Sequence, residues 1–234
     1  MKIVVAGSGS SGNCYAIKTD HDYLLIECGV RTKEMLKAVD FQTSRISGCI
    51  VSHEHADHMK FFREYQKYGI KIYSSEQVKN DSSIIGMARM KQTKIGSFTV
   101  IPFQVPHNGT ECDGFYIRHP DGNIAFMTDL EYLPFDMSEL GINHLLIECN
   151  YKAEYVDRDE HNADHVFLGH MELEACKRTI STFNTKYLKS IGLIHLSEFN
   201  ADANEFREEV QKAYPQCYVW VASCGVQVDL SEVT

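Results

Sequence analysis

Residues 51–59 read Val51-Ser52-His53-Glu54-His55-Ala56-Asp57-His58-Met59, with four potential metal ligands inside six residues. Imidazole nitrogens and carboxylate oxygens are ligands that Zn²⁺ and similar divalent cations bind. An apolar, strand-like run precedes the motif at 46–51, and aromatic residues follow it at 61–68 with the three- and four-residue spacing of a helix face. The motif is therefore predicted to lie on a strand-to-helix turn, where rigid elements commonly hold functional side chains. A His-rich surface loop is the alternative interpretation.

Three further potential ligands stand where apolar, strand-like runs end: His107, Asp129 and His195. Either histidine alone would more often be a core residue, and a lone Asp after a strand is usually a cap or a turn residue. A dinuclear centre needs more ligands than one loop supplies, including one that bridges the two cations. Together with the 53–58 motif, these strand ends predict such a centre at the sheet edges.

The order His53-x-His55-x-Asp57-His58 resembles the signature of the metallo-β-lactamase-fold hydrolases. Other segments resemble the YycJ-type branch of that fold, which is related to ribonuclease Z and to cyclic-nucleotide phosphodiesterases. The resemblance covers nearly the whole chain and implies an α/β fold, the four-layer αββα sandwich. The segments that carry it are Ser8-Gly-Ser-Ser-Gly-Asn-Cys-Tyr, Met127-Thr-Asp-Leu, Gly169-His-Met and Leu193-Ile-His-Leu-Ser.

The resemblance also implies a role for each ligand. It assigns one cation to His53, His55 and His107, the other to Asp57, His58 and His195, and the bridge to Asp129. From the chemistry of this ligand set, Asp57 or Asp129 can orient the attacking water.

By the same resemblance, His170 contacts the substrate phosphate and protonates the leaving oxygen. A structural histidine near a helix N-terminus is the alternative for this residue. Glu27 stands where the family usually has Asp, and we expect it to support the ligands or the fold.

The bulk composition indicates an ordinary globular protein. The chain has 234 residues, of which 44% are hydrophobic and 24% charged, and residues 1–234 are expected to form a single domain. No apolar run is long enough to span a membrane, and the N-terminus looks like a first strand, so a cytoplasmic location is expected. The eight cysteines form no Cys-x-x-Cys pair and are interpreted as reduced, mostly structural residues.

The net charge of −9 argues against extended contacts with DNA or RNA, because phosphate contacts require basic side chains. The chain also lacks the inserted domain of ribonuclease J and an obvious basic arm like that of ribonuclease Z. A small nucleotide and a nucleic-acid end both remain possible substrates.

Strands are predicted at 2–6, 14–19, 23–27, 46–51, 70–73, 97–103, 113–118, 123–128, 143–148, 190–196, 217–221 and 225–229, and helices at 31–39, 75–88, 171–183 and 202–213. The last two strands are predicted to form a closing pair. The Gly/Ser-rich loop Gly7–Asn13 favours a tight hairpin over a phosphate cradle. Residues 151–168 are polar and predict a solvated helix and loop, with a lid or substrate rim as the alternative.

These observations favour a dinuclear-metal-dependent phosphodiester hydrolase acting on nucleotides. A cyclic mononucleotide phosphodiesterase and a 5′-exonuclease are equally favoured, and a homodimer is possible. A thioesterase or lactonase of the glyoxalase II type is the alternative enzyme, and a metal-binding module without activity is a third hypothesis. Two divalent ions are expected, Zn²⁺ first and Mn²⁺ as an alternative.

Overall fold

The computed structural model describes residues 1–157 and 163–233, with the backbone alone at 163–165. The stretch 151–168, predicted to be a solvated helix and loop, therefore lies partly outside the described residues. One sheet has the spatial order 14-1-2-3-4-5-6, numbered along the chain. Its strands are β1 (Lys2–Gly7), β2 (Cys14–Lys18), β3 (Tyr23–Ile26), β4 (Ile46–Ile50), β5 (Ile72–Ser75), β6 (Ile85–Met87) and β14 (Gln227–Asp229).

The other sheet has the spatial order 13-12-11-10-9-8-7. Its first members along the chain pair antiparallel, and the run from β10 to β13 is parallel. Its strands are β7 (Thr93–Ile95), β8 (Phe98–His107), β9 (Thr110–Arg118), β10 (Ile124–Met127), β11 (His144–Glu148), β12 (Ser190–Ile194) and β13 (Tyr218–Val221).

The helices of the described residues are α1 (Thr32–Ala38), α2 (Ala56–Met59), α3 (Phe62–Lys67), α4 (Ala163–Gly169), α5 (Leu173–Ser181) and α6 (Ala203–Ala213), with short 3₁₀ turns at Thr43–Arg45 and Ser138–Leu140. Four of them cover the outer faces of the sheets, α1 and α3 on the first and α5 and α6 on the second. Met35 of α1 and Tyr65 of α3 pack on the first sheet, while Cys176 of α5 and Phe206 of α6 pack on the second. The order helix–sheet–sheet–helix confirms the predicted αββα sandwich. No helix among the described residues is long and apolar enough to cross a bilayer.

The core between the sheets is built from the inward-facing side chains of both, as the period of two in a strand requires. Tyr15 from the first sheet meets Phe126 from the second edge to face, with ring centroids 5.4 Å apart. Phe115 stacks on the other side of Phe126, and the three side chains are fully buried. Because the core holds the two sheets against each other, the strand ends of both sheets keep a fixed position relative to one another at their shared edge.

Two sequence predictions are corrected by the structure. The polar stretch 75–88 is a turn followed by β6 rather than a helix, because the Asp81 carboxylate accepts bonds from the Ser83 N–H (2.9 Å) and hydroxyl (2.6 Å). Such local bonds compete with helix formation. The closing strands form, but β13 joins the second sheet and β14 the first, so the chain crosses between sheets at 222–226.

The Gly7–Asn13 loop joins antiparallel β1 and β2, which confirms the hairpin.

A buried histidine far from the strand-end edge makes the fold sensitive to acid. Burial of His144, and then the charges of Lys189 and the N-terminal amino group, lower its pKa from 6.5 to about 4. Between these values the unfolded chain binds a proton here and the folded chain does not, so stability falls as pH drops from 6.5 towards 4. The full effect is about 3 kcal/mol.

We expect His144→Asn to lose less stability than the parent between pH 7 and pH 4.5. Urea unfolding at both pH values measures the difference. His21→Asn, at an exposed histidine, is the matched control and should follow the parent. Equal acid sensitivity in the parent and His144→Asn would contradict this explanation.

Candidate metal centre

The strand-to-helix turn carries the ligand motif as predicted. β4 ends at Ile50, His55 is the N-cap of α2, and Asp57 and His58 lie in its first turn. His53 and His58 are fully buried, whereas the side chain of Asp57 is 21% exposed. The turn therefore directs His53 and His58 into the protein interior and leaves Asp57 accessible to solvent.

The structure brings all seven predicted ligands together in two groups of nitrogen and oxygen atoms. Within each group the candidate ligand atoms lie within 4.8 Å of one another. The first group is His53, His55, His107 and Asp129, and the second is Asp57, His58, Asp129 and His195.

Asp129 is shared, and its two oxygens face different groups. Oδ2 lies 3.6 Å from His53 Nε2 and 3.7 Å from His107 Nε2. Oδ1 lies 3.4 Å from His58 Nε2 and 3.5 Å from His195 Nε2. A carboxylate placed between the two groups in this way could bridge two cations.

Hydrogen bonds from outside the cluster orient its imidazoles. The His107 Nδ1–H donates to the Gly169 carbonyl (2.7 Å), which leaves Nε2 directed at the cluster. His195 Nδ1 lies 3.2 Å from Glu148 Oε1, and its backbone carbonyl accepts a bond from the Asn150 amide (2.7 Å). Metal-binding histidines generally use their second nitrogen in this way.

Glu27 supports the cluster from below, in line with its expected supporting role. Its carboxylate is fully buried, with Oε1 3.5 Å from His58 Nδ1, and it accepts weak bonds from the Ser52 N–H at 3.3 and 3.4 Å. Burial raises the pKa of the Glu27 carboxyl against the opposing effect of His58.

One buried imidazole nitrogen tests whether a cation fits. His53 Nε2 has no hydrogen-bond partner among the described residues. A buried nitrogen without a partner is costly, and His53 Nε2 faces the shared carboxylate. With three imidazoles and a carboxylate in the first group, and two imidazoles and two carboxylates in the second, the cluster fits a dinuclear metal site.

The electrostatics of the cluster favour bound positive charge. Burial disfavours the imidazolium of His195, but the nearby carboxylates, Asp129 foremost, outweigh burial and raise its pKa to about 10. Burial would raise the pKa of the Asp57 carboxyl, but bonds from His195 and His58 hold it well below its usual range. Divalent cations supply the same positive charge in place of protons.

His170 also lies beside the cluster, in partnership with a residue that sequence reasoning missed. Its Nδ1 is 2.7 Å from Oε1 of the fully buried Glu148, and its ring stacks on that of His195 at 5.4 Å between centroids. Burial lowers the pKa of His170, but the Glu148 carboxylate outweighs it and raises the pKa above the ordinary value. Glu148 Oε2 accepts bonds from the N–H groups of Leu130 (2.9 Å) and Met171 (3.1 Å). Its sequence signal was the same as that of Asp129, an acid at the end of a buried strand.

Asn13 is a second missed residue. Its N–H donates to the Asp57 carbonyl (2.7 Å), and its amide oxygen accepts from the Gly9 N–H (2.8 Å). The amide nitrogen lies 3.2 Å from His58 Nε2. Asn13 therefore ties the Gly/Ser-rich loop to the ligand turn.

Three residues in or beside the cluster have strained backbone angles. Glu27, Asp129 and His195 have positive φ angles of 67°, 46° and 53°. Such angles are uncommon for residues other than glycine and are typical of functional sites. Nothing in the local sequence predicts them.

Glu27→Gln is expected to weaken metal binding by about 10- to 100-fold, the usual effect of losing a partner of a ligand imidazole. Titration with Zn²⁺ against a competing chelator measures it. Glu139→Gln, at an exposed 3₁₀ turn, is the control and should bind like the parent. Parent-like affinity in Glu27→Gln would show that this carboxylate serves the fold alone.

The chain has the metallo-β-lactamase fold. It superposes on the metallo-β-lactamase fold protein YhfI from Bacillus subtilis with a TM-score of 0.75 at 19% identity, over 97% of this chain and 98% of that one.

Sequence comparison gives more specific relatives. The chain is 28% identical to exodeoxyribonuclease YycJ of Bacillus anthracis over 64% of this chain and 63% of the relative. It is 26% identical to exodeoxyribonuclease WalJ of Streptococcus pneumoniae serotype 2 (strain D39 / NCTC 7466) over 85% of this chain and 82% of the relative. The match thus spans less than two thirds of the B. anthracis protein. A family model described as Anti-Pycsar protein Apyc1 matches residues 1–81. These relatives confirm the resemblance to the YycJ-type branch.

Proposed function

We propose that the protein is a dinuclear-metal-dependent hydrolase of nucleotide phosphodiesters. The observation that carries the proposal is the His170–Glu148 pair, whose atoms form a third compact group with Asp129 and His195. A proton donor held beside a dinuclear centre suits the departure of an alkoxide from phosphorus. Hydrolysis of a thioester or lactone requires no phosphate-binding acid at this position.

His53, His55 and His107 would hold one cation and Asp57, His58 and His195 the other, with Asp129 between them. Bound divalent cations supply Lewis-acid polarisation and lower the pKa of water at the site. Zn²⁺ suits these imidazole and carboxylate donors, and Mn²⁺ is the alternative.

The residues of the chain perform the remaining steps. Asp57, the most exposed of the second group's carboxylates, orients the attacking water. His170 carries the proton that goes to the leaving oxygen, while the Glu148 carboxylate fixes its ring and stabilises its charged form. Because Glu148 also contacts His195, one carboxylate aligns the acid with the ligand cluster.

Two kinds of substrate fit this chemistry, a cyclic mononucleotide and the end of a nucleic-acid strand. Both YycJ and WalJ are named exodeoxyribonucleases, which supports the strand end. The eight cysteines of the chain are unpaired thiols, which supports action in a reducing compartment such as the cytoplasm. The homodimer stays a prediction.

Product analysis on metal-loaded protein tests the function. Cyclic 3′,5′-mononucleotides and a 5′-phosphorylated DNA strand are supplied side by side, with Asp57→Ala as the background. Release of mononucleotides from DNA indicates an exonuclease, and linear monophosphate from the cyclic substrate indicates a cyclic-nucleotide phosphodiesterase. Turnover of a thioester panel without either product would refute the proposal.

A further inference from the structure

A cavity of about 700 Å³ lies beside the proposed metal centre and shares Asp57 with it. That volume falls in the range of small-molecule sites. Its walls come from the β1–β2 loop, the segment after β3, helix α2 and the segment after β13. Among the lining residues are Ser10, Ser11, Arg31, Lys60, Phe61 and Cys224.

Two exposed cations, Arg31 and Lys60, stand on this cavity next to Asp57. Lys60 follows Asp57 by three residues at the end of α2, so the two side chains share a helix face. Arg31 follows Gly29, where a side-chain carbon would lie only 1.7 Å from the Asp57 carbonyl oxygen. Both cations are therefore held close to the ligand turn.

Neither cation forms a salt bridge among the residues that the structure describes. The lining carboxylates are already engaged: Glu34 pairs with Lys37 at 3.0 Å, and Asp57 faces His58 and His195. In a chain of net charge −9, two uncompensated cations beside the centre create a local site for an anion.

The remaining walls suit the rest of a nucleotide. The exposed Ser10 and Ser11 offer hydroxyl groups, and Val30, Phe61 and Ala222 offer apolar surface. The floor is tight, because a side-chain carbon at Gly12 would lie 2.6 Å from the Gly29 carbonyl oxygen. An aromatic ring beside cations is the usual arrangement for single-stranded nucleic acid.

We propose that this cavity binds the phosphate adjacent to the scissile one in a single-stranded nucleic acid, with Arg31 and Lys60 as its ion-pair partners. The inference rests on the proposed function, since it places the scissile phosphate at the metal centre. It selects a strand end over a cyclic mononucleotide, which has one phosphate and leaves the two cations without an anion. It also explains how an acidic protein binds DNA: the contacts are local and few.

The first test compares two substrates, a 5′-phosphorylated DNA strand and bis(p-nitrophenyl) phosphate, which has a single phosphate. In Arg31→Gln/Lys60→Gln we expect the ratio of kcat/KM for DNA to kcat/KM for the small ester to fall at least about tenfold, as for two lost phosphate contacts. Lys33→Gln, at an exposed lysine outside the cavity, is the control and should keep the ratio. An unchanged ratio in the double variant, or an equal fall in the control, would overturn the inference.

A binding test separates this inference from the proposed function. The affinity for a phosphorothioate strand, which resists hydrolysis, is measured against salt concentration. Each phosphate that the protein no longer neutralises lowers the slope of log K against log salt by about 0.7 for single strands. Because Arg31 and Lys60 share one phosphate, the double variant should lose about 0.7, and a parent-like slope would refute the cavity site even if the protein hydrolyses phosphodiesters.

Cys224 reports where the strand binds. It is the exposed thiol among the eight cysteines and lines the cavity. Bound strand should slow its reaction with a thiol reagent in the parent, with Cys224→Ser as the blank. Tight binding without this protection would place the strand elsewhere. If no phosphodiester is hydrolysed, the proposed function fails, and the salt slope and Cys224 protection still decide whether the cavity binds the strand.

Discussion

Asp129→Asn is expected to lose most of the bound metal and to lower phosphodiester turnover by roughly 1,000-fold, because cation stabilisation of the transition state amounts to several kcal/mol. Asn preserves the size of the side chain and one oxygen. It removes the charge that both ligand groups share, since Oδ1 faces His58 and His195 while Oδ2 faces His53 and His107.

Metal content per chain and kcat measure the two effects together. Asp20→Asn, at an exposed turn, makes the same chemical change away from the cluster and should match the parent in both. Full occupancy of two metals in Asp129→Asn, with parent-like turnover, would show that this carboxylate does not bridge.

His170→Ala is the second large effect that we expect. A general acid contributes about 10²- to 10⁴-fold, so turnover of a substrate with an alkoxide leaving group should fall by that amount. The loss should be smaller when the leaving group is p-nitrophenolate, because this anion departs without a proton. Glu148→Gln should also lower turnover more for the alkoxide than for the p-nitrophenolate leaving group. Its loss of turnover should be smaller than that of His170→Ala, since it weakens the proton donor without removing it.

The comparison requires variants that still hold metal, so metal content is measured beside turnover. His21→Ala, at an exposed histidine, is the control. Equal losses for both leaving groups would assign His170 to positioning of the cluster instead of proton transfer. Unchanged turnover of both substrates would remove it from the mechanism.

The sequence by itself determined the ligand motif and the kind of fold. The four candidate ligands inside six residues lie close together in any fold with this turn, because a strand followed by a helix leaves the turn between them little freedom. The apolar runs ending at His107, Asp129 and His195 placed the distant ligands at strand ends, and the structure brings them to the same cluster. The helix prediction for the polar stretch 75–88 was wrong, because composition does not distinguish a solvated helix from a series of local turns.

Only the tertiary structure decided how the supporting residues act. Glu148 contacts His170 in the segment between α4 and α5, where its carboxylate also accepts a bond from the Met171 N–H. It contacts His195 because β11 and β12 run parallel in register, with Glu148 opposite Ile194. That register depends on sheet pairing, which no local pattern encodes. The cavity with Arg31 and Lys60 likewise forms where four separate chain segments meet. Residue types and spacing indicate which chemistry a side chain can perform, whereas long-range packing decides which atoms that side chain contacts.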